Sequence, residues 1–172
     1  DGGWRWIEAR GAVTERGERG EPLRMVGTFS NIDARKQEEQ RMRRMAHEDA
    51  LTGLPNRVLL HDRMRQAILA ADREGHKVGL VYFDLDHFKP VNDTHGHAVG
   101  DRLLRMVAQR LRAALRESDT LARVGGDEFA VLLPRCAQPQ DAERVAATIL
   151  ARLEEPFDDG ERILRISGSQ GY

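Results

Sequence analysis

The chain has 172 residues, with 27 Lys+Arg against 28 Asp+Glu and a formal net charge of −1. That balance excludes a generally basic nucleic-acid binder, so any anion site has to be local. A single cysteine, Cys136, excludes an internal disulfide framework or a Cys-rich zinc site, and no apolar run approaches the length of a membrane span.

Residues 1–33 read as β. Trp4–Arg10 and Leu23–Phe29 are strand-like runs on either side of Glu15–Pro22, a stretch punctuated by Gly and Pro. Two strands alone are marginal in water, so this hairpin reads as the remnant of a larger sheet. Residues 34–47 contain no Gly or Pro and carry five basic against two acidic side chains. They predict a solvated linker helix, or alternatively a short dimerising helix; Met42 and Met45 alone make too thin a seam for a coiled coil. From residue 48, helix and strand patterns alternate. Leu59, Leu60, Met64, Ala67, Ile68 and Ala71 mark a helix face. Val78–Phe83 predicts a central strand buried on both faces and ending in Asp84-Leu85-Asp86. Val99, Leu103, Leu104, Val107, Leu111 and Leu115 mark a long amphipathic helix whose polar face carries Arg102, Arg105, Arg110 and Arg112. Thr120–Val124 and Glu128–Leu133 predict two strands around the turn Gly125-Gly126-Asp127. Ala142, Val145, Ala146, Ile149, Leu150 and Leu153 give another helix, and a last strand starts near Arg162. The pattern predicts an α/β (α+β sandwich) fold, a mixed central sheet covered by helices. The first residue, Asp1, and the strand running to Tyr172 suggest a piece of a longer protein.

Carboxylates gather at two places that this order brings together. Asp84 and Asp86 stand at the C-terminal end of the central strand, and Asp127 and Glu128 stand at the Gly-Gly hairpin. Clustered carboxylates repel, and a hard divalent cation removes the conflict, completing its shell with water and phosphate oxygens. Gly125 and Gly126 lack Cβ and let a ligand approach the backbone. Each piece alone has a plainer reading. Asp-x-Asp is commonly a solvated strand end, Asn92, Asp93 and Gly96 suit a loop, and Asp101 in the first turn of a helix suits its dipole. His95 and His97 have no third neutral ligand nearby to make a metal site.

Taken together and in order, these motifs resemble one family, the GGDEF domains or bacterial diguanylate cyclases. Asp49–Arg57 (DALTGLPNR) resembles the family's opening motif. Phe83–Lys89, Asn92–His97 and Gly100-Asp101 resemble its second. Arg123–Phe129 (RVGGDEF) contains the naming signature intact. The resemblance covers residues 48–172. Residues 1–33 resemble the last strands of a PAS sensor domain, and 34–47 the helix by which such sensors pass into an output domain.

The resemblance implies a nucleotidyl-cyclase-like, ferredoxin-like fold and condensation of two GTP into cyclic di-GMP and two pyrophosphates. It implies that Asp84, Asp127 and the carbonyl of Leu85 hold two Mg²⁺ (Mn²⁺ being an alternative), and that Glu128 binds metal or helps deprotonate the attacking hydroxyl. Asn92 and Asp101 match the guanine readers, Gly125 and Gly126 line the phosphates, and Lys89 is a phosphate contact. Catalysis in such a family needs two chains facing each other, hence a homodimer, in the cytoplasm, with the whole protein free to be membrane-attached and with no nucleic-acid partner. Arg116-Glu117-Ser118-Asp119, five residues before Gly125, resembles the inhibitory R-x-x-D site for the product. Glu155-Pro156-Phe157 resembles GGDEF domains that precede an EAL phosphodiesterase, where the domain can serve as a nucleotide-binding regulatory module instead. Gln170 stands where an apolar residue is more usual. The family's last helix and strand, with their basic phosphate-gripping residues, are expected beyond Tyr172, so the resemblance implies weak GTP binding or no activity for this piece by itself.

Overall fold

The structure is a computed structural model that describes residues 3–171, so Asp1, Gly2 and Tyr172, which the sequence reading included in the terminal strands, lie outside the described residues, as does the side chain of Gln170. The chain forms two compact units, Asp1–Met45 and Ala46–Tyr172. No helix among the described residues is long and apolar enough to cross a membrane.

In the first unit, β1 (Ile7–Arg16) pairs antiparallel with β2 (Pro22–Asn31), from Ile7↔Asn31 to Arg16↔Pro22. The first strand therefore starts later and runs further than the apolar run Trp4–Arg10 suggests. Its inner half is held by the backbone ladder rather than by side chains. Gly11 sits opposite Gly27, where an added Cβ would stand 2.8 Å from the Arg10 carbonyl oxygen. Helix α1 (Asp33–His47) has no buried residue. Its ion pairs, among them Lys36–Glu39 and Arg41–Glu38, are exposed and screened by water.

The second unit opens with a short turn and α2 (Arg57–Glu74). Asn56 caps α2 by accepting from the Val58 and Leu59 amides, and Gly75 ends it at φ 72°. Then follow β3 (Lys77–Asp86), α3 (Phe88–His95), α4 (His97–Ala114), β4 (Thr120–Gly125), β5 (Glu128–Cys136) and α5 (Gln140–Glu154). The two-residue strands β6 (Phe157–Asp158) and β7 (Ile163–Leu164) pair with each other, and β8 (Ser167–Gly171) closes the chain. The sheet order is β4-β5-β3-β8 and all three pairings are antiparallel. This is the expected α+β layer. On one face Val81, Phe83 and Leu85 of β3 and Phe129, Val131 and Leu133 of β5 meet α4 and α5 through Leu103, Val107, Leu111, Ile149 and Leu153, all buried. On the other face α2 sets Leu60 and Ala67 against Ala122, Ala130 and Leu132.

Several expectations are corrected. The central strand is not buried on both faces: Leu80 and Tyr82 are 38% and 42% exposed, because α2 lies over the small side chains of β4 and β5 and leaves this part of β3 open. The segment 88–95 is a helix rather than a loop. The chain enters it through His87, a non-glycine residue at φ 65° that no sequence pattern flags. Helix α4 starts at His97, directly after Gly96, which places Asp101 in its second turn and weakens the dipole rationale. The last strand is split into β7 and β8, which pair with different partners. Two arginines expected on the polar face of α4 are bonded to the segment that follows α5 rather than left to solvent. Arg102 donates to Asp159 (3.1 Å), and Arg110 donates to the carbonyls of Arg152, Glu155 and Pro156 while stacking on Phe157 at 3.5 Å.

Phe129 is fully buried and stacks on Phe83 with ring centroids 5.7 Å apart. Phe129→Ala is expected to cost about 3–5 kcal/mol in denaturant unfolding, against less than about 1 kcal/mol for the exposed Met45→Ala.

Candidate active site

The antiparallel register of β3 and β5 ends with Phe83 opposite Phe129 and Asp84 opposite Glu128. Because side chains alternate, the two aromatic rings enter the core and the two carboxylates emerge together on the other face. Between β4 and β5 the chain reverses at Gly126-Asp127, with Gly126 at φ 37°, a left-handed conformation that suits glycine. The Leu85 amide then donates to the Asp127 carbonyl at 3.2 Å. Asp84, Leu85, Asp127 and Glu128 are thus brought to one end of the sheet, as the sequence predicts. Asp84 and Glu128 are exposed, Asp127 is half-buried, and among the described residues none of the three forms an ion pair. Asp84 and Glu128 line a cleft of about 420 Å³ together with Arg57, Tyr82, Val124 and Ser169.

Asp86 belongs to the same strand end but is already occupied. It accepts from the hydroxyls of Ser167 (3.1 Å) and Ser169 (2.6 Å) on β8. This separates it from Asp84, a distinction the Asp-x-Asp pattern does not carry. Among the described residues no three His, Cys, Asp or Glu side chains converge as a metal cage. What is present is a pair of unpaired carboxylates with a third beside them. That donor set suits a hard cation that takes one or two carboxylates and fills its shell with water and phosphate oxygens.

The hairpin is held by a residue that the sequence reading quoted without a role. Arg123 on β4 donates from Nε and Nη2 to the Gly126 carbonyl (2.9 and 2.7 Å) and from Nη1 to Asp49 (2.9 Å). Its amide donates to the Pro55 carbonyl at 3.0 Å. Asp49 also accepts from the amide (2.9 Å) and hydroxyl (2.7 Å) of Thr52. One guanidinium therefore ties the signature turn to the turn that opens the domain. Partial burial alone would raise the Asp49 carboxyl. The hydrogen bonds from Thr52 and Arg123 outweigh it and hold the group below the usual carboxylate range.

Asn92 and Asp101 lie on α3 and α4, which Gly96 joins as the cap of both helices. The Asn92 carboxamide rests on Gly100, where an added Cβ would stand 1.9 Å from its Oδ1. That Oδ1 is buried and, among the described residues, has no hydrogen-bond partner. Asp101, next to Gly100, is half-buried, and Lys89 is exposed on α3. Asn92, Asp101, Lys89, Gly125 and Gly126 stand outside the lining of the Asp84–Glu128 cleft. Elsewhere, Arg116 follows the end of α4. Asp119 folds back to accept from the Arg116 amide (3.2 Å) and the Ser118 hydroxyl (3.2 Å). Both residues line two cavities of about 400 and 330 Å³, one with Arg63 and Arg112, the other with Arg135 and Arg144.

An antiparallel sheet with helices on both faces and carboxylates gathered at one end defines an α+β domain with an acidic cleft. The sequence model of the family described as diguanylate cyclase, GGDEF domain, matches residues 46–172, and the chain belongs to that family. It is 47% identical over 127 residues to the bifunctional diguanylate cyclase/cyclic di-GMP phosphodiesterase MucR of Pseudomonas aeruginosa, covering 74% of this chain and 18% of that protein. It is 39% identical over 155 residues to the diguanylate cyclase TpbB of the same species, covering 88% and 36%. The chain thus spans well under half the length of these relatives. The structure of the coiled coil and GGDEF domain of DgcB from Caulobacter crescentus, in complex with c-di-GMP, matches with a TM-score of 0.72 at 28% identity, covering 81% of this chain and 75% of that one.

A carboxyl held low in the folded state stabilises the fold above its unfolded pKa, and that contribution disappears as pH falls through the folded value. Asp49 therefore contributes fully above about pH 4 and loses its contribution below that. Denaturant unfolding between about pH 6 and pH 3 is expected to show a shallower acid slope for Asp49→Asn than for the native chain. Parallel profiles would show that the Arg123–Asp49 tie contributes nothing to the pH dependence.

Proposed function

We propose that this chain carries a diguanylate cyclase domain: two GTP are condensed to cyclic di-GMP, with release of two pyrophosphates, across a pair of facing chains. The observation that carries the reading is the register that sets Asp84 against Glu128 with Asp127 closed onto Leu85, inside an intact signature.

Asp84, Asp127 and the Leu85 carbonyl would hold Mg²⁺, with Mn²⁺ as a substitute. When bound, such an ion supplies charge stabilisation to both the attacking and the leaving oxygen of an in-line displacement. The chain's residues do the rest. The 3′-oxygen of one ribose forms a bond to the α-phosphorus of the other GTP, and the bond from that phosphorus to the bridging oxygen of pyrophosphate breaks. Glu128 stands where it can accept the proton of the attacking hydroxyl or share the metal. Asn92 offers an unpartnered buried acceptor, and Asp101 a carboxylate. Guanine presents N1–H and N2–H₂ donors to such groups, whereas adenine leaves them unmade, so the pair selects guanine. Gly125 and Gly126 give phosphates room at the turn, and Lys89 adds a cation on α3. One chain holds one GTP, so turnover requires a homodimer. In this reading 1–33 is the end of a PAS-type sensor, 34–47 the helix that transmits its state, and 48–172 the cyclase domain.

Arg116 and Asp119 form the product site. The guanidinium forks to a phosphate or stacks on guanine, and the carboxylate accepts from the guanine edge. The DgcB structure in complex with c-di-GMP supports this class of ligand. A second reading takes an attached phosphodiesterase from the likeness to a bifunctional protein: a catalytically weak or silent GTP- or cyclic di-GMP-binding regulatory module that controls an attached EAL phosphodiesterase.

With GTP and Mg²⁺, the protein containing this domain is expected to form cyclic di-GMP and pyrophosphate at a rate that rises more than linearly with protein concentration. Asp84→Ala and Asp127→Ala are expected to lower that rate by at least about 100-fold. GTP binding without product points to the regulatory module, and unchanged turnover in both variants contradicts the site. For the product site, Arg116→Ala is expected to weaken cyclic di-GMP binding in calorimetry by about tenfold or more. Unchanged binding removes the assignment.

A further inference from the structure

The cleft that holds Asp84 and Glu128 has a third charged member, to which neither the sequence reading nor the proposed mechanism gives a role. Arg57, the first residue of α2, lines the same cavity of about 420 Å³ and is the only cation among its described lining residues. Four other arginines of this unit are engaged, Arg63 with Thr120, Arg102 with Asp159, Arg110 with three carbonyls, and Arg123 with Asp49 and Gly126. Among the described residues Arg65, Arg112, Arg116 and Arg165 share the unpaired state of Arg57 but line no part of this cleft. Arg57 is exposed and, among the described residues, makes neither an ion pair nor a side-chain hydrogen bond, although two carboxylates line its cleft.

Its position runs against local preference. A cation in the first turn of a helix meets the positive end of the dipole, and α2 has no acidic residue there to offset it. The backbone beneath it is nonetheless firmly set. Asn56 accepts from the Val58 and Leu59 amides and donates from Nδ2 to the Ala46 carbonyl at 3.0 Å, and the Asn56 amide donates to the His47 carbonyl at 2.9 Å. A fixed root with a free guanidinium head, at a locally unfavourable place, is the arrangement of a residue kept for a ligand.

We propose that Arg57 contacts the polyphosphate of the guanine nucleotide from the α2 wall of the cleft. The inference rests on the nucleotide reading above and adds a residue to it. A polyphosphate entering a cleft with two carboxylates meets repulsion. A divalent cation held by those carboxylates offsets part of it, and a planar guanidinium presenting paired donors offsets more. The plainer alternative, a solvated surface arginine, predicts no effect of its removal on any ligand.

The test is calorimetric titration of the protein containing this domain, in Mg²⁺, with GTP and separately with guanosine, which lacks the phosphates. Arg57→Ala is expected to weaken GTP by about tenfold, to leave guanosine unchanged, and to keep the native melting temperature. Arg57→Lys is expected to recover part of the loss, since it keeps the charge without the fork; were the alanine variant not to fold, the lysine variant alone still has to bind GTP more weakly than the native chain. Unchanged GTP affinity in Arg57→Ala, or equal losses for GTP and guanosine, overturns the role of Arg57 while leaving the nucleotide reading intact. A protein containing this domain that does not bind GTP overturns the nucleotide reading itself, and with it this role.

Discussion

The antiparallel pairing of β3 with β5 is the constraint on which the rest of the molecule depends. Its register is set by burial: Val81 against Val131 and Phe83 against Phe129 must both face α4 and α5. A slip of one residue would turn every one of these side chains to the other face, at a cost of several buried apolar groups. The same register carries Asp84 and Glu128, one step further along, to the opposite face. The hydrophobic core thus decides which carboxylates meet, and the chemistry at the end of the sheet is a consequence of packing in its middle.

Smaller devices keep that end in shape. The two central residues of the signature turn contribute little packing of their own, and its geometry is enforced from outside by Arg123. One guanidinium holds the Gly126 carbonyl and, through Asp49, the turn that opens the domain. Gly100 does comparable work for Asn92 by omission, since any side chain there would displace the carboxamide. Asp86 is bound by two serines of β8, which ties the edge strand to the central one and takes that carboxylate out of competition for a cation.

The elements with strong period were legible in the sequence: α2, α4, α5 and the β4–β5 hairpin all have the type their apolar spacing predicts. So was the gathering of Asp84, Asp127 and Glu128, because a Gly-Gly turn between two strands fixes which residues stand at its tip. Helix α3 was not, since its start depends on a left-handed His87, and its eight residues hold Val91 as their one buried side chain. The openness of β3 at Leu80 and Tyr82 was not, because it depends on where α2 lies across the sheet rather than on β3 itself. Arg123 and Arg57 sat in motifs that drew attention to their neighbours. What an arginine reaches is set by tertiary placement, and a spacing pattern says nothing of it.

The two compact units give the account its functional outline, with an exposed hairpin and polar helix upstream and a packed domain bearing the acidic cleft downstream. The proposed site for a guanine nucleotide and its cation is the end of the β3–β5 pair. The most direct test is a crystal structure of this chain with a non-hydrolysable GTP analogue and Mn²⁺, read by the anomalous signal of the metal. Mn²⁺ is expected on Asp84 and Asp127, with phosphates over Gly125 and Gly126 and guanine at Asn92 and Asp101. Metal bound away from these carboxylates, or a nucleotide whose base lies elsewhere, would contradict it.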